Sequence, residues 1–311
     1  MTNDLAPMNA SPAPPAPQPA PPRVWTTLEL ITWTKNFFEK KGIESPLLEA
    51  QLLLAEVLGC ARIRLYVDFE KPVPQEQLAK YREFVKRRSE TRIPLQYILG
   101  HTQFIDLQLK VTPAALIPRP ETEILAVWAA DRAKAAGEGA RVLDLCTGSG
   151  CVALYVASKV PGARIAASDL SPQALELARE NAAALKLDAR VDFYQGDLFG
   201  ALPSPEPFDL IVANPPYIDP ALKDSLQIEV RDHEPALALF AENQGRALAE
   251  KILSTCGPWL KPGAWLGLEF GAGQGPALKE HATRTGLFDE MTLHADGAKL
   301  PRFIMARRVK G

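Results

Sequence analysis

The second half of the chain alternates short apolar runs with longer segments of helical periodicity. Runs of about five apolar residues fit strands that are buried on both faces of a sheet. The segments between them, which begin near Cys151 and Ser171, fit helices. This alternation predicts an α/β domain built on a doubly wound parallel sheet. The first predicted strands are Arg141–Leu145, 164–168, 191–194 and Phe208–Ala213.

The first third of the chain has a different pattern, because residues 26–92 show helical periodicity throughout. Thr27 is the predicted cap of the first helix, and Pro46 occupies the first position of the second. A third predicted helix covers residues 74–88. Each of the three carries an apolar face, so we expect a small helical domain.

Two segments of other composition complete the domain plan. The first 22 residues are mostly Pro and Ala, with eight prolines, which predicts a disordered tail. Residues 94–100 break the helical pattern, and residues 103–111 alternate imperfectly, which predicts a β-ribbon. The predicted organisation is a tail over 1–24, a helical domain over 25–93, a ribbon linker over 94–118 and an α/β domain over 119–311.

The strand Phe208–Ala213 ends at Asn214, which is followed by Pro215, Pro216 and Tyr217. Each proline fixes its own φ, and a residue that precedes a proline is restricted to extended geometry. Asn214 should therefore hold a neutral amide rigidly at the carboxyl edge of the sheet, where open α/β folds bind ligands. The alternative is a structural Pro-Pro turn that only terminates the strand.

Acidic residues follow the other predicted strands. Asp144 precedes a glycine-rich turn over residues 146–150, and Asp169 and Asp197 end the next two strands. Such a turn lets the backbone approach a ligand closely, and an acid beside it can accept hydrogen bonds from ribose hydroxyls. Asp197 can accept from an adenine amino group, and Leu198 or Phe199 can cover the base. Helix capping is the alternative for each aspartate, but together they predict one adenosine-type ligand.

Arg119 lies between two prolines, which keep the chain extended around it. It could place a cation near a ligand carboxylate. An ion pair with Glu121 or Glu123 is the alternative.

Composition excludes several classes of function. A formal net charge of −2 gives no general attraction to nucleic acid or to an anionic membrane. No apolar window is long enough to span a bilayer, so we expect no membrane association. The four cysteines have no zinc-binding spacing, so we expect no metal and reduced thiols in a cytoplasmic protein.

The motifs together resemble a known family. Asp144 with the turn to Gly150, Asp169, Asp197 and the Asn-Pro-Pro-Tyr segment look like a class I S-adenosylmethionine (SAM) methyltransferase. Residues 94–100, 116–123 and 234–239 narrow the resemblance to the release-factor glutamine N5-methyltransferases, the HemK/PrmC family. Asn-Pro-Pro-Tyr alone is shared with adenine-N6 methyltransferases that act on DNA or RNA.

The resemblance implies a seven-stranded class I methyltransferase domain, with residues 264–270, 288–293 and Pro301–Arg308 as its last strands and an antiparallel final pair. It implies that Asn214 and Pro215 are catalytic and that the substrate binds at Asn214, Pro215, Pro216 and Tyr217. The expected SAM contacts, with Asp197 added from the reasoning above, are Asp144, Leu145, Cys146, Thr147, Gly148, Asp169, Asp197, Leu198 and Asn214. The family usually has glycine at Cys146, so a cysteine strains the turn if that position requires a positive φ.

The implied activity is methyl transfer from SAM to the amide nitrogen of the glutamine in the Gly-Gly-Gln motif of peptide chain release factors. Asn214 Oδ1 and the Pro215 carbonyl would each accept one proton of the substrate NH₂, so that positioning and electrostatics replace a strong base. The partners expected are release factors, without extended nucleic-acid binding. The alternatives are an adenine-N6 methyltransferase, which needs an extensive basic surface, and a non-catalytic SAM-binding adaptor.

Overall fold

The structure is a computed structural model that describes residues 24–204 and 206–310. The predicted tail, apart from Val24, lies outside these residues. The chain forms two compact units, of which the first ends at Arg82 and the second begins at Glu83.

The first unit is helical, as its periodicity predicts. Its core contains the buried side chains of Phe38, Leu53 and Leu78. The hydroxyl of Tyr81 donates to the carbonyl of Ala50, so the polar end of this buried ring is paired. The helices are α1 (Thr27–Lys40), α2 (Pro46–Leu58), α3 (Arg64–Val67) and α4 (Gln75–Glu90), and α4 continues past the boundary at Arg82.

The cap of α1 lies one residue earlier than predicted. Thr26, not Thr27, accepts a hydrogen bond from the Glu29 backbone N–H, while the Glu29 carboxylate accepts from the Thr26 N–H at 2.9 Å. This is a capping box, which satisfies two free N–H groups of the first turn. Thr27 is instead buried. The prediction for Pro46 at the start of α2 is confirmed.

The segment that joins the two predicted domains contains a short helix as well as the ribbon. Helix α5 (Leu95–Leu99) was not expected, because five residues are too few to show periodicity. Gly100 ends it with φ 80°, a conformation that glycine adopts without strain. The ribbon pairs β1 (His101–Phe104) with β2 (Leu107–Lys110) in antiparallel register.

A seven-stranded sheet forms the second unit, as predicted. Its strand order is β5-β4-β3-β6-β7-β9-β8, with the first five strands parallel and the last two antiparallel to their neighbours. The strands are β3 (Arg141–Leu145), β4 (Arg164–Asp169), β5 (Val191–Gln195), β6 (Phe208–Ala213), β7 (Leu260–Glu269), β8 (Phe288–Ala295) and β9 (Pro301–Arg308). The remaining helices are α6 (Pro120–Ala136), α7 (Cys151–Lys159), α8 (Pro172–Ala184), α9 (Ile228–His233), α10 (Ala236–Leu239), α11 (Ala247–Thr255) and α12 (Gly275–Thr285).

Helices cover both faces of the sheet, which explains the nearly continuous apolar sequence of its central strands. Val142 and Val212 pack in a cluster with residues of α6 and α7. Leu143 and Ile211, one position along, pack in a second cluster with residues of α11 and α12. Strands β3, β4, β5, β6 and β7 end at the same edge. Within the described residues no helix is long and apolar enough to cross a membrane.

Candidate active site

A cavity of about 300 Å³ lies at the carboxyl edge of the parallel strands. This volume is at the lower end of the range for small-molecule sites, roughly 300–1,000 Å³. The loops after β3, β4, β5 and β6 line one part of it, and residues from 113–122 and 235–238 line another. The predicted site residues that line the cavity are Asp144, Cys146, Thr147, Gly148, Asp169, Asp197, Leu198, Asn214 and Pro216.

The turn after β3 has the conformation that makes glycine the expected residue. Cys146 has φ 57°, in the left-handed region. A side chain there costs about 1–2 kcal/mol relative to glycine. Burial raises the pKa of the Cys146 thiol well above its ordinary value, so the thiol is neutral at physiological pH. The departure from the family pattern therefore places a strained, uncharged side chain in the cavity wall.

Asp144 holds this turn in place through two hydrogen bonds. Its Oδ2 accepts from the Thr147 hydroxyl at 2.6 Å and from the Ala153 backbone N–H at 3.1 Å. The carboxyl is almost completely buried, and burial raises its pKa to about 7 despite these hydrogen bonds. Asp144 thus joins the turn to the start of α7.

Asp169 joins the same turn to the next helix. Its Oδ2 accepts from the Gly148 N–H at 2.8 Å, and its Oδ1 accepts from the Ser171 N–H at 2.9 Å. Burial raises the pKa of Asp169 above its ordinary value, and hydrogen bonds from backbone N–H groups, those of Ser171 and Gly148 foremost, offset part of the rise. Each carboxylate oxygen has a second lone pair. Asp169 can therefore accept two more hydrogen bonds from a ligand in the cavity.

The loop after β5 separates the two residues that were expected to cover a base. Leu198 lines the cavity and has φ 49°. Phe199 does not line it, because its ring stacks on Trp259 with centroids 5.5 Å apart. Asp197 also lines the cavity, but its Oδ2 is paired with Lys251 Nζ at 2.6 Å, which leaves Oδ1 to accept from a ligand.

Asn214 lines the cavity at the end of β6, and its amide is held from behind. Its Nδ2 donates to Thr122 Oγ1 at 3.0 Å. The Thr122 hydroxyl donates in turn to Glu269 Oε2 at 2.8 Å. Thr122 and Glu269 are both buried, and burial raises the pKa of Glu269 to about 7. Neither residue was singled out from the sequence.

Three predicted site residues do not line the cavity. Leu145 is fully buried in the core, and Pro215 is buried directly after Asn214. Tyr217 is partly buried, which raises the pKa of its hydroxyl to about 12, and its carbonyl accepts from Gln274 Nε2 at 2.8 Å. Neither these contacts nor the cavity lining tests the roles predicted for these three residues.

Arg119 lines the cavity but pairs with neither expected partner. Its Nη2 lies 2.6 Å from Oε1 of Glu234, which is buried. Glu123 instead accepts from the Ile105 N–H. Prolines flank Arg119, and one follows Glu234, but no sequence pattern connects residues 119 and 234.

No group of three His, Cys, Asp or Glu side chains could hold a metal ion among residues 24–204 and 206–310.

Two family models match the chain. The PrmC N-terminal domain covers residues 29–100, and the methyltransferase small domain covers residues 126–231.

Curated relatives match over nearly their whole length. A release factor glutamine methyltransferase of Geobacter sulfurreducens is 42% identical over 87% of this chain and 93% of its own. One of Rhodopirellula baltica is 37% identical over 91% of this chain and 97% of its own.

Among solved structures, the hMettl16 catalytic domain superposes with a TM-score of 0.52 at 14% identity, covering 75% of this chain and 81% of that one. This likeness shows the fold alone.

Proposed function

Because the chain belongs to the release factor glutamine methyltransferase family, we propose that it transfers a methyl group from SAM to a release factor. The acceptor is the side-chain amide nitrogen of the glutamine in the Gly-Gly-Gln motif. One observation carries the proposal: Asn214 and Pro216 line the same cavity as Asp169 and the glycine-rich turn. A donor site and an amide-binding group are therefore side by side.

The cavity residues fit SAM. The Asp169 oxygens have free lone pairs for the two ribose hydroxyls, and Asp197 Oδ1 remains available for the adenine amino group. Leu198 contributes an apolar surface for the base. When bound, SAM supplies an electrophilic methyl group on a sulfonium. The turn from Asp144 to Gly148 lies beside Asp169 and completes the cofactor side.

The acceptor side addresses the weak nucleophilicity of an amide nitrogen, whose lone pair is delocalised into its carbonyl. Asn214 Oδ1 and the Pro215 carbonyl each accept one N–H of the substrate amide and so fix the direction of the nitrogen lone pair. SAM would supply the methyl group and leave as the neutral thioether, and the methylated nitrogen would afterwards release its proton to water. The two acceptors favour the positive charge that develops on nitrogen. Tyr217 packs against the flat amide.

The helical unit is proposed to recognise the release factor outside the motif. The segment around α3 exposes large apolar side chains, among them Ile63, Tyr66 and Val67. Exposed apolar clusters of this kind mark interaction surfaces.

Since release factors act in translation, we place the enzyme in the cytoplasm.

Mass spectrometry of a release factor incubated with the enzyme and SAM tests the proposal. The expected result is one added methyl on the glutamine of Gly-Gly-Gln. A factor with that glutamine replaced by asparagine serves as the control and should gain no methyl. Binding of SAM and factor without transfer would indicate an adaptor, and methylation of adenine in DNA or RNA would indicate the other enzyme class.

A further inference from the structure

Thr122 and Glu269 form a buried hydrogen-bonded chain behind Asn214. Thr122 lies in the first turn of α6, Glu269 ends β7, and Asn214 follows β6. The Asn214 Nδ2 to Thr122 Oγ1 distance is 3.0 Å, and the Thr122 Oγ1 to Glu269 Oε2 distance is 2.8 Å. Thr122 and Glu269 are 2% and 1% exposed, so bulk water has little access to either side chain.

The direction of these hydrogen bonds follows from the number of protons available. A threonine hydroxyl has one proton, and an ionised carboxylate only accepts. When Glu269 is ionised, the Thr122 proton therefore goes to Glu269, and the hydroxyl presents lone pairs to Asn214, as in the structure. The rates that test this arrangement are compared above pH 7, where Glu269 carries its charge. Only the NH₂ end of the Asn214 amide can face those lone pairs, since the opposite rotamer would place two acceptors together.

A contribution to stability alone does not explain why a carboxylic acid occupies the buried position 269. A carboxylate in an apolar environment costs several kcal/mol if it is not well compensated. Among the described residues, its side-chain hydrogen bond is the one from Thr122. Charged groups of Glu121, Arg302 and Arg119 act on it from neighbouring elements, with opposing signs. An amide or an apolar side chain would fill the same space at lower cost.

We infer that Thr122 and Glu269 are positioning residues, which hold the Asn214 amide so that Oδ1 faces the substrate nitrogen. This inference rests on the proposed function, in which Oδ1 accepts a substrate N–H. In the reversed orientation, the Asn214 NH₂ would face the substrate NH₂, and two donors would oppose each other. The chain from Glu269 therefore removes the unproductive orientation before substrate binds.

The test compares substitutions that differ by one hydroxyl. Thr122→Val keeps the shape of the side chain and removes its hydroxyl, so single-turnover methyl transfer to a Gly-Gly-Gln peptide at saturating SAM should fall by about tenfold to 10²-fold. Thr122→Ser restores the hydroxyl and should recover most of that loss. Thr283→Val is the matched control, because the Thr283 hydroxyl donates to the backbone carbonyl of Lys279 on the exposed face of α12 and lies outside the site.

Two further measurements separate positioning from folding. SAM affinity should change little in Thr122→Val, since a positioning role affects kcat rather than cofactor binding. Thermal unfolding should shift to a lower temperature, because the buried Glu269 carboxyl loses its hydrogen bond, so rates are compared at a temperature where both proteins are folded. In an Asn214→Ala background, Thr122→Val should cause no further loss, because its effect passes through Asn214. If Thr122→Val does not fold, Glu269→Gln replaces it. Its amide can donate to Thr122 and free the hydroxyl proton, so the rate should fall severalfold.

The outcomes distinguish this inference from the function on which it rests. A wild-type enzyme that transfers no methyl to glutamine refutes the proposed function and this inference with it. A wild type that methylates the peptide, with Thr122→Val at the wild-type rate, refutes the inference alone. Additive losses in the double variant would also overturn it, because they would show that Thr122 acts independently of Asn214.

Discussion

The two sides of the cavity are built from contacts of very different range. On the cofactor side, Asp144 accepts from Thr147 three residues away, and Asp169 accepts from Ser171 two residues away. On the acceptor side, Asn214 and Thr122 are 92 residues apart. The hydrogen bonds that shape the turn on the cofactor side span 21 residues or fewer, although Asp197 pairs with Lys251 54 residues away. The acceptor side exists only when α6, β6 and β7 are assembled.

Two further contacts near the acceptor side also join distant parts of the chain. Arg119 and Glu234 are 115 residues apart, and Thr122 and Glu269 are 147 residues apart. Both pairs reach the residues around the start of α6. The cofactor side can therefore be recognised from local motifs, while the orientation of the reacting group depends on the complete fold.

The largest effect should come from the acceptor side. Asn214→Ala removes the acceptor that orients the substrate nitrogen, so methyl transfer should fall by about 10²-fold or more, as for the loss of one preorganised hydrogen bond. Asn214→Asp keeps an acceptor but places two oxygens and a charge beside Thr122, so it should retain more activity than alanine and less than wild type. Single-turnover rates at saturating SAM measure this. A wild-type rate in Asn214→Ala would show that Asn214 does not orient the glutamine.

On the cofactor side, Asp169→Ala should weaken SAM binding by about 1.5–3 kcal/mol, the range for hydrogen bonds to a charged group. It also removes the acceptors of the Gly148 and Ser171 N–H groups. Calorimetry gives the affinity, and Asp192→Ala, at a more exposed site on β5, is the control. Unchanged SAM affinity would reject the assignment of Asp169.

The buried carboxyl of Glu269 should make stability depend on pH. Its pKa is raised from 4.5 to about 7 in the folded protein, so between these values the folded state binds more protons than the unfolded state. The contribution of Glu269 is therefore complete below pH 4.5 and is lost as pH rises through 7.

Glu269→Gln cannot titrate, so its stability relative to wild type should improve by about 2–3 kcal/mol between pH 5 and pH 8. Denaturant unfolding at several pH values measures the difference. Asp144 also has a raised pKa and stays present in both proteins, so only the difference between the two curves reports Glu269. Parallel curves would contradict the raised pKa.

Cys146 tests whether strain on the cofactor side is real. Glycine removes the side chain from a position with φ 57°, whereas alanine keeps a β-carbon there. Cys146→Gly should therefore be more stable than Cys146→Ala by about 1 kcal/mol, despite the extra backbone entropy of glycine in the unfolded state. Equal stability of the two variants, measured by thermal unfolding, would mean that the turn carries no strain.

Substitutions on the surface of the helical unit should change neither cofactor binding nor methyl transfer in the cavity. Ile63→Glu together with Val67→Glu places charge on its exposed apolar segment. We expect KM for an intact release factor to rise severalfold, with SAM affinity and the rate on a short Gly-Gly-Gln peptide unchanged. If KM for the intact factor stays the same, the recognition surface lies elsewhere.

From the sequence alone, the α/β domain, the order of its strands and helices along the chain and the cofactor-side motifs could be predicted. Strands β3 and β6 begin and end where the pattern predicts, and helix α7 begins there, because continuous apolar runs and glycine or proline boundaries are local signals. The cap of α1 was also available locally. Glu29 lies three residues after Thr26, which is the spacing of a capping box and should have excluded Thr27.

The tertiary structure alone decided three features of the site. It paired Arg119 with Glu234, turned Leu198 rather than Phe199 to the cavity, and placed Thr122 and Glu269 behind Asn214. A hydrogen bond requires its donor and acceptor to be placed to within a few tenths of an ångström, and the chain separates these groups by about a hundred residues. Only the packed sheet and helices set those distances, so no local pattern could reveal them.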